Sequence, residues 1–414
     1  MFNAIRHVSD DKKIALLFFA ILSFNIFTLL INTLFNFFLP GTPLDTAFCL
    51  AILGCILLNA LPAILRRLKS AEVLVALLAV LLFLLNYLII PKTRGYVSAN
   101  IVGFFLRIFP LYFLGRCITN YGETMRILNK FSIYAILAGA IYYLITNIFE
   151  LAVSSDNMSF AYYYLPFVLV EIYQIFLKKS WINVVFSILG TSILLVCGTR
   201  GPFLCIGVFL LLFCLFLLKN VKIKILMVLF SLLIVLASIF GVITSMLSWL
   251  NSWMKSIGWE SRILDKVISE DLSDLSGRED IYEKVYAFIQ EHYLGYGLYA
   301  DRLPLNGSYS HNFILEFTAF FGPLGFLLSI YLLVVTLAKI CFEKIDGEYK
   351  VLLLLIFCCS IVKLFVSSSI ISEPMFYLLL GLLFRKKSYN RNKQKIVFAT
   401  LEAENSFAHY QGKT

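Results

Sequence analysis

The sequence predicts an all-α, polytopic membrane protein, and three observations carry that prediction. Of 414 residues, 60% are hydrophobic and only 14% charged, with a mean hydropathy of +0.87. A soluble domain carries about 45–50% apolar residues and about 25% charge. Apolar runs recur from residue 14 to residue 384, whereas a single anchor needs one run of about 20 residues. Lys and Arg concentrate in every second turn between these runs. Such a chain is neither a soluble enzyme, nor a disordered segment, nor a nucleic-acid-binding module.

Cutting at polar clusters gives spans near 14–38, 44–65, 72–91, 97–116, 130–149, 160–177, 181–197, 202–218, 223–248, 311–340, 350–371 and 374–385. That is about twelve, the last one short. The first run is too long for a signal-peptide core and lacks a clear small-x-small cleavage site. With the N-terminus inside, 24 of the 35 Lys and Arg fall in inside segments and nine in outside ones, while Arg107 and Lys363 sit within spans. Every inside turn is basic, as the positive-inside rule requires. The net charge of +10 is therefore topology rather than a nucleic-acid footprint, and both termini are expected in the cytoplasm.

The expected organisation is nine spans over residues 1–248, an extracytoplasmic loop over 249–310, three spans over 311–385 and a basic cytoplasmic tail over 386–414. The loop reads as ordered. Ile263, Leu264, Val267, Ile268 and Leu272 form a stripe at helical spacing. Ser276-Gly-Arg-Glu279 has the form of a capping box. Ile281, Val285, Phe288, Ile289 and His292 continue one face, and Gly295 and Gly297 end it. Two amphipathic helices over the membrane mouth are expected. The halves show no internal repeat, which weighs against an inverted-repeat transporter. All nine cysteines lie inside or at the ends of apolar runs with no C-x-x-C pair, so no disulfide framework or metal cluster is implied.

Several residues carry chemistry. Gly198-Thr-Arg200-Gly-Pro202 turns the chain at the outer face, and Pro202 suits the first turn of the following helix. A helix N-terminus beside Arg200 favours an anion, phosphate especially, although an ordinary interfacial turn has the same form. Arg278 opens the second loop helix, where a cation opposes the dipole. A docked anion explains it, as does pairing with Glu279, Asp280 or Glu283. Of four histidines, His7 and His409 are cytoplasmic and His292 rides the apolar face of a loop helix. His311 alone lies at the loop–membrane junction, where an imidazole can serve as general base or as an interfacial cap. Charges within spans usually face a cavity. Arg107, Lys363 and Glu316, the last one turn below Asn312, are the candidates, with pairing of Lys363 to Glu316 or Glu373 as the plainer reading. Tyr162, Tyr163 and Tyr164 fit sugar stacking or an interfacial aromatic belt. The chain has no Walker loop, no Rossmann fingerprint and no H-E-x-x-H.

Three features follow one another in a fixed order: Thr-Arg-Gly at the head of a mid-chain span, Ser-Gly-Arg opening a large outer loop, and His311-Asn312 at its exit. Leu315, Gly322-Pro-Leu-Gly325 and the earlier Gly295-Tyr-Gly297 accompany them. The arrangement resembles the O-antigen polymerase and O-antigen ligase superfamily of bacterial membrane glycosyltransferases, by motif over roughly residues 190–330 and by topology over the whole chain. The resemblance implies a C-type glycosyltransferase-like fold in the inner membrane, working without a metal or other cofactor. It also implies an oligosaccharide donor on undecaprenyl pyrophosphate and a possible chain-length regulator partner. Arg200 and Arg278 match the arginines expected at the pyrophosphate, and His311 matches the histidine expected to activate the acceptor. Arg107 and Lys363 have no counterpart in it. A Phe- and Ile-rich composition inclines the reading toward the repeat-unit polymerase, for O-antigen or capsule. The ligase that moves the glycan to lipid A-core stays open, with a lipid-linked sugar flippase behind it.

Overall fold

A computed structural model describes residues 2–38, 44–148, 157–178, 180–218, 220–225, 242–256, 278–343 and 346–385. These are all-helical. Eight helices are long and apolar enough to cross a membrane, and Trp181–Val196 and Pro374–Leu383 are shorter apolar helices. Twelve spans are therefore not all accounted for among the described residues, since most of the ninth, 223–248, lies outside them.

The helices are α1 (Phe2–Phe38), α2 (Leu44–Arg67), α3 (Ser70–Ile89), α4 (Arg94–Gly103), α5 (Pro110–Cys117), α6 (Tyr121–Ile148) and α7 (Asn157–Lys178). They continue as α8 (Trp181–Val196), α9 (Arg200–Leu212), α10 (Val242–Ser256), α11 (Arg278–Glu291), α12 (Phe313–Cys341), α13 (Gly347–Phe357) and α14 (Pro374–Leu383). Wider π-helical turns at Phe104–Ile108, Phe213–Leu217 and Cys358–Val362 extend α4, α9 and α13.

Burial runs opposite to that of a soluble protein. Helix α3 buries Glu72, Phe83 and Asn86 and exposes Leu74, Leu77, Leu78, Leu81 and Leu85. Leucines facing outward along 20 residues fit a hydrocarbon solvent. The centre is formed by α7 and α13, where Leu165–Val170 and Val351–Phe357 are almost wholly buried. This is a multi-pass membrane protein.

The two ends of the bundle sort as the charge pattern requires. Arg66 pairs with Asp10, and Arg67 with Asp11, each at 2.8 Å. Arg116 pairs with Glu72 at 2.6 Å. Turns assigned to the inside thus lie together at one end.

Two boundaries differ from the sequence expectation. The eleventh span stops near Leu364 rather than 371, because Val366–Ser369 form a turn that leads into a short 3-10 segment at Ile370–Ser372. Residue 249, where the loop was expected to start, lies within α10, which runs on to Ser256. The stripe Ile263–Leu272 and Ser276 lie outside the described residues, but the second loop helix is present as α11.

The end opposite the basic turns is shaped by a break in α12. Gly322 has φ 60°, ψ −140°, and Pro323 follows, so the ladder loses an amide there. The carbonyls of Ala319 and Phe320 accept instead from Tyr296 N and Gly297 N, both at 2.9 Å. The Gly-Tyr-Gly segment is therefore the patch over the helix break. Gly295 holds φ +86°, and a Cβ there would sit 2.5 Å from Gly322 N and 2.7 Å from Phe321 C. Gly295→Ala is expected to cost at least the roughly 1–2 kcal/mol of a left-handed non-glycine residue, lowering Tm in detergent. Gly54→Ala, with nothing within 4 Å of the new methyl, is the control expected to leave Tm unchanged or raise it.

Candidate active site

The site is assembled at this same end from four separate stretches of chain. Helix α8 ends at Val196, Gly198 turns the chain with a φ of 68°, and α9 starts at Arg200. A side chain on Gly201 would collide with Tyr162 Oη and reach 3.3 Å from Val366 Cγ2. Glycine there lets the Arg200 turn pack directly on α7 and on the turn after α13.

Lys363 follows the π-helical turn of α13. Its Nζ lies 4.7 Å from the Tyr162 ring centroid and 2.5 Å from Glu373 Oε2. Of the two partners the sequence allowed for Lys363, the structure chooses Glu373. Glu316, buried, accepts from Ser369 Oγ and from Ile370 N at 2.9 Å, and so pins the turn that carries Val366. Arg278 Nη2 donates to the Val366 carbonyl at 2.7 Å, which ties the start of α11 to this turn. Lys363→Met is expected to destabilise by roughly 3–5 kcal/mol, because it strands the buried Glu373 carboxylate. Adding Glu373→Gln should restore much of the lost Tm.

His311 arrives from the loop. Ser310 N donates to Asp301 Oδ2 at 2.8 Å, and Asn312 Oδ1 caps α12 by accepting from Ile314 N and Leu315 N at 3.0 and 3.2 Å. The residue between them is held at φ 52°, with its ring 4.1 Å from that of Tyr309. Asparagine is thus the helix cap, and histidine is the group the cap presents. Its buried Nδ1 has no hydrogen-bond partner. Burial, and then the nearby Arg278 charge, depress the imidazole to about 4. His311 is therefore neutral at pH 7 and has a lone pair available.

Tyr299, His311 and Ser368 all hold positive φ. Such non-glycine conformations cost energy and gather where surrounding structure enforces them, often at functional sites. Asp301 is also buried, and burial raises its carboxyl to about 6.

Of the candidates, Arg200, Arg278, His311 and Lys363 come to one region, and Glu316 supports it. Arg107 does not join them. It sits on the π-helical turn Phe104–Ile108 with its side chain exposed. His292 packs against Phe288 and Tyr296 at 4.6 and 4.5 Å, as an aromatic contact. Tyr162 enters the cluster alone of its triplet, for Tyr164 turns inward to the Ile136 carbonyl. Glu373 as a site member, Asp301 and the Val366 carbonyl were not assigned from sequence, and Tyr162 was marked only as one of three tyrosines. Among the described residues, no three His, Cys, Asp or Glu side chains gather to hold a metal.

The arrangement suits an anion at a membrane surface. Guanidinium groups offer forked donors to phosphate oxygens and stay charged, and a neutral imidazole stands beside them. Residues 185–330 match a family model described as O-antigen ligase. No curated protein and no solved structure matches the chain.

Proposed function

We propose that this chain, whose residues 185–330 match the O-antigen ligase family model, polymerises lipid-linked oligosaccharide repeat units at the outer face of the inner membrane. The observation that carries this reading is Arg278, anchored on the Val366 carbonyl and electrostatically coupled to the neutral His311.

In the proposed reaction the acceptor hydroxyl oxygen attacks the anomeric carbon of a glycan on undecaprenyl pyrophosphate. The bond from that carbon to the pyrophosphate oxygen breaks, and polyprenyl pyrophosphate leaves. Arg278 and Arg200 stabilise its growing negative charge, which preorganised donors in a partly dry site do well. His311 takes the hydroxyl proton. The same pyrophosphate neutralises Arg278 and removes one of the two causes that depress His311, so donor binding raises the base's proton affinity at the moment it is needed. Lys363 and Tyr162 fix the wall on which Gly201 and Arg278 rest. The polymerase takes the acceptor hydroxyl from another lipid-linked repeat, and the ligase takes it from lipid A-core.

A strain lacking the gene separates the two on a gel of surface glycans and lipid-linked intermediates. Core capped with a single repeat is the expected result. Bare core with long polymer retained on the lipid carrier would assign the ligase instead.

The pH profile follows from the depressed imidazole. Because His311 titrates near 4 when folded and near 6.5 when unfolded, it is neutral in both states above pH 7. Its contribution to folding turns unfavourable as pH falls from 6.5 toward 4. Transfer measured between pH 5 and 8 should show no acid limb at the ordinary imidazole value. A limb near 6.5 in kcat/KM, which reports the free enzyme, would contradict a neutral, desolvated base.

A further inference from the structure

An apolar groove runs between α1 and α2, with Phe131 of α6 contributing to its wall. It encloses about 410 Å³ and extends from Lys13 to Ile31 on α1 and from Asn59 to Cys49 on α2. Along α1 that is about 27 Å, at about 1.5 Å per residue. One lipid's share of a bilayer about 40–45 Å across is about 20–23 Å, so the groove has room for the full length of a lipid. Phe24 and Phe27 line its apolar stretch, and Ser23 turns its hydroxyl to the Phe19 carbonyl at 2.9 Å.

The end of the groove at the basic turns carries a charge that the protein does not match. Lys13 is the one charged residue among the described residues that line it, and it is half-buried. The nearest acids along α1 are already taken, for Asp10 pairs with Arg66 and Asp11 with Arg67, both at 2.8 Å. Lys13 itself makes no ion pair among the described residues. On the facing helix Asn59 is exposed within an apolar run, and its amide has no hydrogen-bond partner among the described residues. Counted from the Asp10–Arg66 pair along two antiparallel helices, Asn59 lies about one helical turn deeper than Lys13.

A lysine that snorkels from a helix end needs no partner of its own. Here the cation heads a groove, an amide follows one turn below it, and hydrocarbon walls follow the amide. A glycerophospholipid has its groups in the same order: an anionic phosphate, then ester carbonyls, then acyl chains.

We propose that this groove binds one anionic glycerophospholipid from the leaflet at the basic end of the bundle, which the positive-inside rule makes the inner leaflet. The phosphate lies on Lys13 Nζ, an ester carbonyl accepts from Asn59 Nδ2, and an acyl chain runs between α1 and α2 toward Ile31. Basic pockets between membrane helices select anionic headgroups in this way. The bound lipid joins α1 to α2, so thermal stability reports its binding. The groove is separate from the Arg278–His311 cluster and needs no assumption about transfer.

The test uses the full-length protein in a non-ionic detergent, titrated with phosphatidylglycerol, phosphatidylcholine or a polyprenyl phosphate. Tm is read at each lipid fraction, and bound lipid is counted by native mass spectrometry. Phosphatidylglycerol should raise Tm saturably by several degrees as one bound molecule, with a midpoint at least tenfold lower than that of phosphatidylcholine. Lys13→Gln should move the phosphatidylglycerol midpoint up to the phosphatidylcholine value. Lys12→Gln, which removes the same charge from an exposed neighbour, should leave it within twofold. Equal midpoints for the two glycerophospholipids in the wild type would overturn the proposal. So would a preference lost equally in Lys12→Gln and Lys13→Gln, which marks diffuse surface charge. A polyprenyl phosphate with the lowest midpoint would also overturn it, because the groove would then belong to a carrier lipid. The wild-type comparison stands even if a variant does not fold.

Discussion

Arg278→Ala is expected to lower transfer by about 10²–10³-fold, the range seen when one preorganised donor to a developing oxyanion is removed. Arg278→Lys should recover little of it. A lysine keeps the charge but not the fork, and the present side chain uses one arm on the Val366 carbonyl to aim the other donors. Protein level and Tm should stay near wild type, because the side chain is only half-buried at the first position of a surface helix. Complementation of a deletion strain, with membrane protein quantified in parallel, reads both quantities. Full-length polymer from Arg278→Ala at normal expression would remove the residue from the site.

His311→Ala should be comparably severe, at about 10²–10⁴-fold, for a different reason. The base is lost while the cap on α12 survives, since Asn312 supplies it. His311→Gln is the sharper comparison, because glutamine keeps a polar group of similar reach but cannot hold the proton. If His311 only tied the loop down, Gln would restore transfer. If it accepts the acceptor's proton, Gln should remain as inactive as Ala. Asn312→Ala should do the reverse, lowering Tm by the loss of a cap worth about 1 kcal/mol and reducing transfer only through disorder.

The membrane-spanning helices were legible because a bilayer demands long apolar runs, and few other structures do. The gathering of the N-terminal, Arg66–Arg67 and Arg116 turns at one end was equally legible from Lys and Arg. Less could be read where the backbone departs from a regular helix. Arg107 looked like a buried charge because it lies in an apolar run, but the π-helical turn at Phe104–Ile108 adds a residue, and its side chain is exposed. Lys363 was visible as an interior cation with two possible partners. The early end of its helix and the turn at Val366–Ser369 assigned it to Glu373 and left Glu316 to hold the turn.

At the candidate site, the residues that the sequence singled out and the fold brings together were those whose local chemistry is unusual. Arg278 opposes a helix dipole, His311 sits at a loop exit, and Arg200 follows a glycine stop. Tyr162 and Asp301 carry no such mark. Tyr162 is one of three consecutive tyrosines, and only the close approach of Gly201 shows which one meets the cations. Asp301 looks like any loop acid until its bond to Ser310 N shows that it orients the histidine. The glycines at 295, 297 and 322 lie between these cases. Motif order marked them separately, while their pairing and its reason, an open helix ladder patched by two loop amides, appear only in three dimensions.

The most direct test is reconstitution of the purified protein in liposomes with a repeat unit linked to undecaprenyl pyrophosphate as the sole glycan substrate. The expected result is polymer of several repeats with release of undecaprenyl pyrophosphate, absent with Arg278→Ala and His311→Gln. A preparation that builds no polymer alone, but moves the glycan once lipid A-core is added, would contradict the polymerase and assign the ligase.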